Sequence, residues 1–262
     1  MSFEKASSVN AVGNHYEAHI ADGWDILGNA NGGYLMALGA RAMAEASRPH
    51  PFTVTAHFLS PGMAGPISIH PETLKTGRRL NTMRASVRGP EKTIIELLGS
   101  FGEVEDVDGA VLVDAQPPEL PSPEQCCHII GSEKGFPPPI VDRLEMRLHP
   151  DDASLFQGQP SGKPVVRGWA RLLDNEPVDA FGLMLIADAF PPTIFNARLP
   201  VAWVPTVEMT VQIRAIPAKG WLRCKFSTRF ITGGMLEEDG EIWDSNGRLV
   251  ALSRQLALLP RG

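Results

Sequence analysis

Asp188 is the first residue with chemical promise, because it is a carboxylate in a place that disfavours one. It belongs to the run Asp179-Ala180-Phe181-Gly182-Leu183-Met184-Leu185-Ile186-Ala187-Asp188-Ala189-Phe190-Pro191-Pro192, which is apolar nearly all the way round. A helix without a polar face is buried on every side. Asp188 lies near its C-terminal end, where the helix dipole opposes negative charge. Burying it unpartnered is costly or forces it to take up a proton. It is then either a structural group bonded to backbone amides or a working acid–base group, and the helix alone leaves both readings open. A second feature is Gly28-Asn29-Ala30-Asn31-Gly32-Gly33, which leads into another mostly apolar helix from Tyr34 to Ala46. Asn31 can cap that helix, and the two glycines leave its first amides uncovered. Cys126-Cys127-His128 has metal-ligand residue types but no second spaced pair, so it reads as a chance cluster in a loop; no metal and no cofactor is expected.

Composition narrows the function classes. The chain has 262 residues, 43% hydrophobic and 21% charged, with net charge −6 and a pI near 5.7. That is an ordinary globular balance, and the length allows one large domain or two that each bury a core. No basic block is longer than Arg78-Arg79, which argues against a nucleic-acid partner. No apolar run approaches the ~18 residues of a membrane span, and the first residues show no signal-peptide pattern. Three cysteines form no disulfide framework, so a reducing cytoplasm is the expected compartment.

The elements that must position these residues repeat in order. A strand around Tyr16 to Ile20 precedes the Gly33 helix, and strands follow at Thr53 to Leu59, Ile67 to Thr76, Leu80 to Val87 and Thr93 to Val104. From about Asp106 to Pro164 prolines cluster (Pro117, Pro118, Pro121, Pro123, then Pro137 to Pro139) in an irregular connection, with a strand at Val141 to Leu148. The pattern then restarts. A strand spans Val165 to Leu173, and the Asp188 helix follows, with Asp174 and Asn175 as cap types and Pro191-Pro192 as the stop. Strands come next at Trp203 to Ile213, Trp221 to Thr232, Glu241 to Trp243 and Leu249 to Leu259, with a hairpin turn at Asp244 to Gly247. Even details recur: Thr53-Val54 and Thr206-Val207 each open the first long strand of a half. An antiparallel sheet that buries one face and an all-apolar helix satisfy each other when the sheet curls round the helix. The expected architecture is therefore α+β, a double hot-dog. Its N-terminal domain covers residues 1–115, a Pro-rich linker 116–140, and a C-terminal domain with the reactive residues 141–262. Exposed edge strands offer a route to homo-oligomers.

The chain resembles the acyl-CoA thioesterase II (TesB-like) double hot-dog family from Gly28 to Leu258. The resemblance rests on Asn31-Gly32-Gly33-Tyr34, His57 to Gly62 and Leu74 to Arg78 in the first half. In the second it rests on Asp188, Thr206 to Thr210, Asp244 to Leu249 and Ser253-Arg254-Gln255. It implies hydrolysis of acyl-CoA to free fatty acid and CoA, with an Asp on the second helix, a Ser or Thr on the next strand and a Gln on the last. Those positions match Asp188, Thr206 and Gln255. The family's Gly-Gly-Gln reads Gly32-Gly33-Tyr34, and its aromatic-basic segment reads Val211 to Arg214; both departures touch substrate range more than reaction.

Thioester hydrolysis suits these side chains. A thiol of pKa ~8.5 leaves readily, so no strong general acid is needed. No Gly-x-Ser-x-Gly elbow supplies a nucleophile, which argues against an α/β-hydrolase and leaves water as the attacker. Asp188 can take the water's proton, Thr206 and Gln255 can hold the water and complete the hydrogen bonding around the carboxylate, and the amides of Gly33 or Tyr34 can polarise the thioester carbonyl. Gly32, Gly33 and Tyr34 are thus the substrate-binding candidates. Thr206 beside Pro205 equally suits a capping role, and strand alternation groups it with Glu208, Thr210 and Gln212 on a polar face. Gln255, among leucines, wants partners. Arg78-Arg79 reads as a solvated strand end, His57 as structural, and Trp203, Trp221 and Trp243 as core or interface aromatics. The first helix has no acid before Glu45, so one reactive centre per chain is expected. Two alternatives stand beside hydrolysis: a non-catalytic acyl-CoA-binding hot-dog protein, and an enoyl-CoA hydratase, which lacks a histidine near either helix.

Overall fold

The computed structural model describes residues 1–104, 110–132, 136–199 and 203–259. The first half runs α1 (Phe3–Ala6), β1 (Asn10–Val12), β2 (His15–Ile20), the short pair β3 (Asp25–Ile26) and β4 (Asn29–Ala30), α2 (Gly32–Glu45), β5 (His50–Phe58), β6 (Gly65–Lys75), β7 (Asn81–Arg88) and β8 (Thr93–Gly102). The second runs β9 (Cys127–His128), β10 (Leu144–Leu148), α3 (Pro150–Ala153), β11 (Val165–Leu172), α4 (Ala180–Ala187), β12 (Thr206–Ile213), β13 (Leu222–Ser227), β14 (Ile231–Thr232), β15 (Met235–Trp243) and β16 (Leu249–Leu258). The composition change near Asp106 lies outside the described residues.

Both long helices form where the sequence leaves no solvent face. All eight residues of α4 are buried, and α2 buries nearly everything from Gly33 to Ala44. Asn31 caps α2 by accepting from the Tyr34 amide, and Asp179 caps α4 by accepting from Phe181 and Gly182. Asp174 and Asn175 do not cap α4. They sit in a 3-10 turn with φ of 55° and 54°, a left-handed kink that breaks the chain before the helix begins. The helix also stops early, at Ala187, and Asp188 is its C-cap rather than an interior residue.

The sheet is antiparallel and continuous, in the order β1-β2-β6-β7-β8-β5-β12-β16-β15-β13-β11-β10-β9, with β14 paired to β15. The internal repeat is explicit in this order. The first half reads β2-β6-β7-β8-β5 and the second β11-β13-β15-β16-β12, each with the strand before the helix at one side and the strand after it at the other. The halves join where β5 pairs with β12, from Glu208 opposite His57 to Gln212 opposite Thr53. Each curled half-sheet packs on its helix, and the helices pack on each other. This is the double hot-dog, with one core spanning both halves.

Two strands differ from the sequence reading in ways that matter for the site. β15 begins at Met235, not Glu241, because the acidic run Glu237 to Glu241 alternates with buried Leu236, Glu238, Gly240 and Ile242. β12 carries a bulge between Thr206 and Glu208, so that Thr206 sits opposite Ala257 and Met209 opposite Gln255. The extra residue puts Thr206 on the inward face with Met209, not on the polar face with Glu208 and Thr210. Thr206 does open its strand, but β5 opens three residues before Thr53, at His50.

Candidate active site

The site lies where the two helices meet head to tail. Asn31 at the N-terminus of α2 touches Asp188 at the C-terminus of α4, while Arg41 further along α2 touches Asp179 at the start of α4, so the helices run antiparallel. This resolves the awkward position of Asp188. The dipole of its own helix opposes its charge, but the N-terminus of the neighbouring helix faces it and favours it. Oδ2 of Asp188 accepts from the Gly33 amide at 2.9 Å and from Asn31 Nδ2 at 3.0 Å, and the same Nδ2 donates to the Asp188 carbonyl at 2.8 Å. No described side chain bonds Oδ1, the Gly32 amide also faces the carboxylate and helps to hold its pKa down, and Asp188 lines the adjoining cavity. Burial pushes the Asp188 pKa up to about 6; the Gly33 bond holds it down, and the negative charge of Glu238 adds to the rise.

The glycines are there for close approach. A Cβ on Gly33 would run into the Met184 carbonyl oxygen, and one on Gly32 would lie 2.8 Å from the Phe58 ring and 2.9 Å from Asp188 Oδ2. The expected role of the Gly33 and Tyr34 amides changes as a result. The Gly33 amide is taken by Asp188, and that of Tyr34 by Asn31 Oδ1. Gly32 lines the cavity; Gly33 and Tyr34 do not. The Tyr34 side chain points into the core, where its hydroxyl donates to the Ala6 carbonyl at 2.7 Å and its ring stacks on Trp24. Burial raises its pKa to about 12, so it is a neutral core phenol.

Thr206 and Gln255 line the same cavity as Asp188 and bond each other: Thr206 Oγ1 donates to Gln255 Oε1 at 2.8 Å. They do not complete the shell around the carboxylate, which falls instead to Asn31 and Gly33. Two participants were not singled out from the sequence. One is Asn31, read only as a cap, whose amide serves both ends at once. The other is Glu238, which is 4% exposed and lines the cavity. Glu238 accepts from Gln255 Nε2 at 2.9 Å through Oε1, and from the Thr193 amide and hydroxyl at 2.7 and 2.8 Å through Oε2. Burial pushes its pKa up, against the pull of the Thr193 and Gln255 bonds. The available signal was a glutamate on the apolar side of the alternation Leu236, Glu238, Gly240, Ile242.

The cavity measures about 530 Å³ and is walled mainly by apolar groups, among them Leu35, Phe58, Val141, Phe156, Phe190 and Phe195. No Lys, Arg or His is among its described lining residues, so its charge is carried by Asp188 and Glu238 alone. Trp203, 48% exposed, stands at this cavity rather than in the core; Trp243 is buried, and Trp221 lies under the Arg171 guanidinium at 4.3 Å. Arg78 and Arg79 do not line the cavity; Arg48 donates to the carbonyls of Gly77 and Arg78. Among the described residues no helix is long and apolar enough to cross a membrane.

Comparison with known proteins agrees over nearly the full length. Residues 20–102 match the family model of the acyl-CoA thioesterase N-terminal domain, and residues 112–259 that of the acyl-CoA thioesterase C-terminal domain. A solved structure from Thermobifida fusca, described as a candidate thioesterase II, is 30% identical with a TM-score of 0.89, covering 99% of this chain and 97% of its own. Acyl-CoA thioesterase II TesB2 of Mycobacterium marinum shares the fold at a TM-score of 0.77 and 18% identity, covering 100% and 99%. By sequence, an uncharacterized protein of Mycobacterium tuberculosis is 29% identical over 266 residues, 94% of this chain and 91% of that one.

Proposed function

The chain belongs to the double hot-dog acyl-CoA thioesterase family, and from that premise we propose that it hydrolyses acyl-CoA thioesters with a water molecule activated by Asp188. The observation that carries this reading is the anchored carboxylate: Oδ2 is held by Gly33 and Asn31, no described side chain bonds Oδ1, and Asp188 lines a cavity that Thr206 and Gln255 also line. A general base needs one fixed orientation and one unoccupied lone pair. A pKa raised to about 6 makes Asp188 a stronger base than an exposed aspartate while leaving it mostly ionised near pH 7.

Water oxygen attacks the thioester carbonyl carbon as one of its protons passes to Asp188 Oδ1. Thr206 and Gln255 fix the water. The first amides of α2 are turned to Asp188 and Asn31, so it is the dipole of that helix end, at the cavity wall by Gly32, that favours the negative charge developing on the carbonyl oxygen. The tetrahedral species then expels the thiolate, and the proton held by Asp188 is released to it or to solvent, giving free acid and CoA. The apolar walls and the absence of cations among the described lining residues fit an uncharged acyl group.

The test is release of free thiol from a panel of uncharged acyl-CoAs. Asp188→Asn keeps an acceptor for Gly33 but removes the base, so kcat falls at least about 10²-fold with little change in KM. In the wild-type protein kcat/KM declines below about pH 6, as Asp188 takes up its proton. Thiol release undiminished in Asp188→Asn refutes the assignment; tight acyl-CoA binding without thiol release at any chain length makes the protein a binder.

A further inference from the structure

We infer that Glu238 is a positioning residue for the attacking water: it fixes which way round the Gln255 amide lies and so dictates where the Thr206 hydroxyl proton points. The inference rests on the hydrolytic reading above and adds a residue to it.

A primary amide is nearly symmetric in shape, and its orientation is set by what faces each end. Glu238 and Gln255 are directly opposite each other on β15 and β16. Oε1 of Glu238 accepts from the amino end of Gln255 at 2.9 Å, and a carboxyl oxygen facing the amide in this way draws its amino end. The carbonyl end must then face Thr206, whose hydroxyl donates to it at 2.8 Å. Thr206 has one proton, and this bond uses it. Its oxygen is left as an acceptor toward the cavity. A water between Thr206 and Asp188 therefore gives one hydrogen to each and turns a lone pair to the carbonyl carbon. With the amide reversed, Thr206 would donate its proton to the water, drawing on the attacking oxygen's electron density and leaving the water's second hydrogen without that acceptor.

The placement of Glu238 supports this role. It is almost fully buried, and among the described residues no cation pairs with it; its described partners are Thr193 and Gln255. A buried charge of that kind is expensive, and a neutral residue would tie β15 to Thr193 more cheaply. Glu238 also bears on Asp188 electrostatically. Around Asp188, the first turn of α2 brings no titratable group except Tyr34, which faces the core, and β12 and β16 bring Thr206 and Gln255; Glu238 on β15 is the charge that faces it.

The test is a charge swap. In Glu238→Gln the new amide keeps its carbonyl on Thr193 and offers its amino end to Gln255, which must reverse. The expected result is a folded protein with KM within about twofold of wild type, kcat lowered about 10²-fold, and an acid limb of the pH–rate profile moved to lower pH. Adding Gln255→Glu restores an acceptor facing Thr206 and a donor between the two strands, so the double variant recovers most of kcat. A purely structural role predicts no recovery of kcat by the swap; the acid limb moves in either case, because loss of the Glu238 charge lowers the Asp188 pKa. Wild-type kcat in Glu238→Gln overturns the inference, as does a folded double variant that is no more active than the single one. Should Glu238→Gln not fold, the double variant alone decides by its kcat, near wild type if the inference holds and lost if it does not. These outcomes are separate from failure of the hydrolytic reading, which shows as thiol release surviving Asp188→Asn.

Discussion

Asp188 makes stability depend on pH in a direction opposite to most aspartates. Its folded pKa of about 6 lies above the unfolded value near 3.9, so the unfolded chain ionises first as pH rises. The native state is therefore favoured below about pH 4, and that advantage, on the order of 3 kcal/mol, is lost by about pH 6. Urea unfolding of wild type and Asp188→Asn at pH 4, 5, 6 and 7 should show the wild-type slope flattened in the variant, with the variant the more stable of the two at pH 7. Equal slopes would mean that the carboxylate is better solvated than its surroundings imply. Part of this was legible in the sequence: one acid in an apolar run, ended by two prolines, is visible without coordinates. The group that compensates it was not, because Asn31 lies 157 positions away and helix-to-helix contacts leave no periodicity.

At the scale of elements, the site depends on α2 and α4 approaching within backbone contact. Gly33→Ala sets a small gain in helix propensity, about 0.5–1 kcal/mol, against a Cβ driven into the Met184 carbonyl and 2.9 Å from the Asp188 Cβ. Overpacking of this kind costs about 1–3 kcal/mol, so the clash wins. The variant should melt lower and release thiol more slowly, since the Gly33 amide that anchors Oδ2 moves with it; a thermal melt and the thiol assay decide. A higher melting temperature would show that the helices can part at no cost. The strands explain what the sequence hid. Long strands with regular alternation were readable to within a few residues. β15 was not, because five of its nine residues are acidic or glycine and the inward set carries a glutamate, Glu238, which lines the cavity. Thr206 was assigned to a polar face because simple alternation has no place for the bulge at Val207, which is fixed by pairing with β16 rather than by local composition.

Over the whole molecule, the duplication creates two helix junctions, of which one holds Asp188. Where α2 begins and α4 ends, Asn31 and Asp188 open onto the apolar cavity. Where α4 begins and α2 is ending, the corresponding cap, Asp179, is bound by Arg41 at 2.8 Å, and the same guanidinium covers the Phe181 ring at 4.4 Å and donates to Ser7. A second cavity, of about 330 Å³, lies at this junction, but Arg41 and Phe181 line it where Asn31 and Asp188 line the first, so the two junctions have different chemistry. The repeat in element order was legible in the sequence, whereas the divergence between the junctions was not, since it turns on which side chains meet across the helix pair. Arg41 should then matter to the fold and not to the chemistry. In Arg41→Leu, Asp179 keeps its two amide bonds but loses its cation, and the ring loses its partner; a half-exposed pair and a partly buried cation–π contact together are worth about 1–3 kcal/mol. The variant should be less stable by that amount, melt lower, and release thiol at the wild-type kcat and KM, because the change lies at the far end of both helices from Asp188. A fall in kcat without a fall in stability would instead place Arg41 in contact with substrate and require a second working junction.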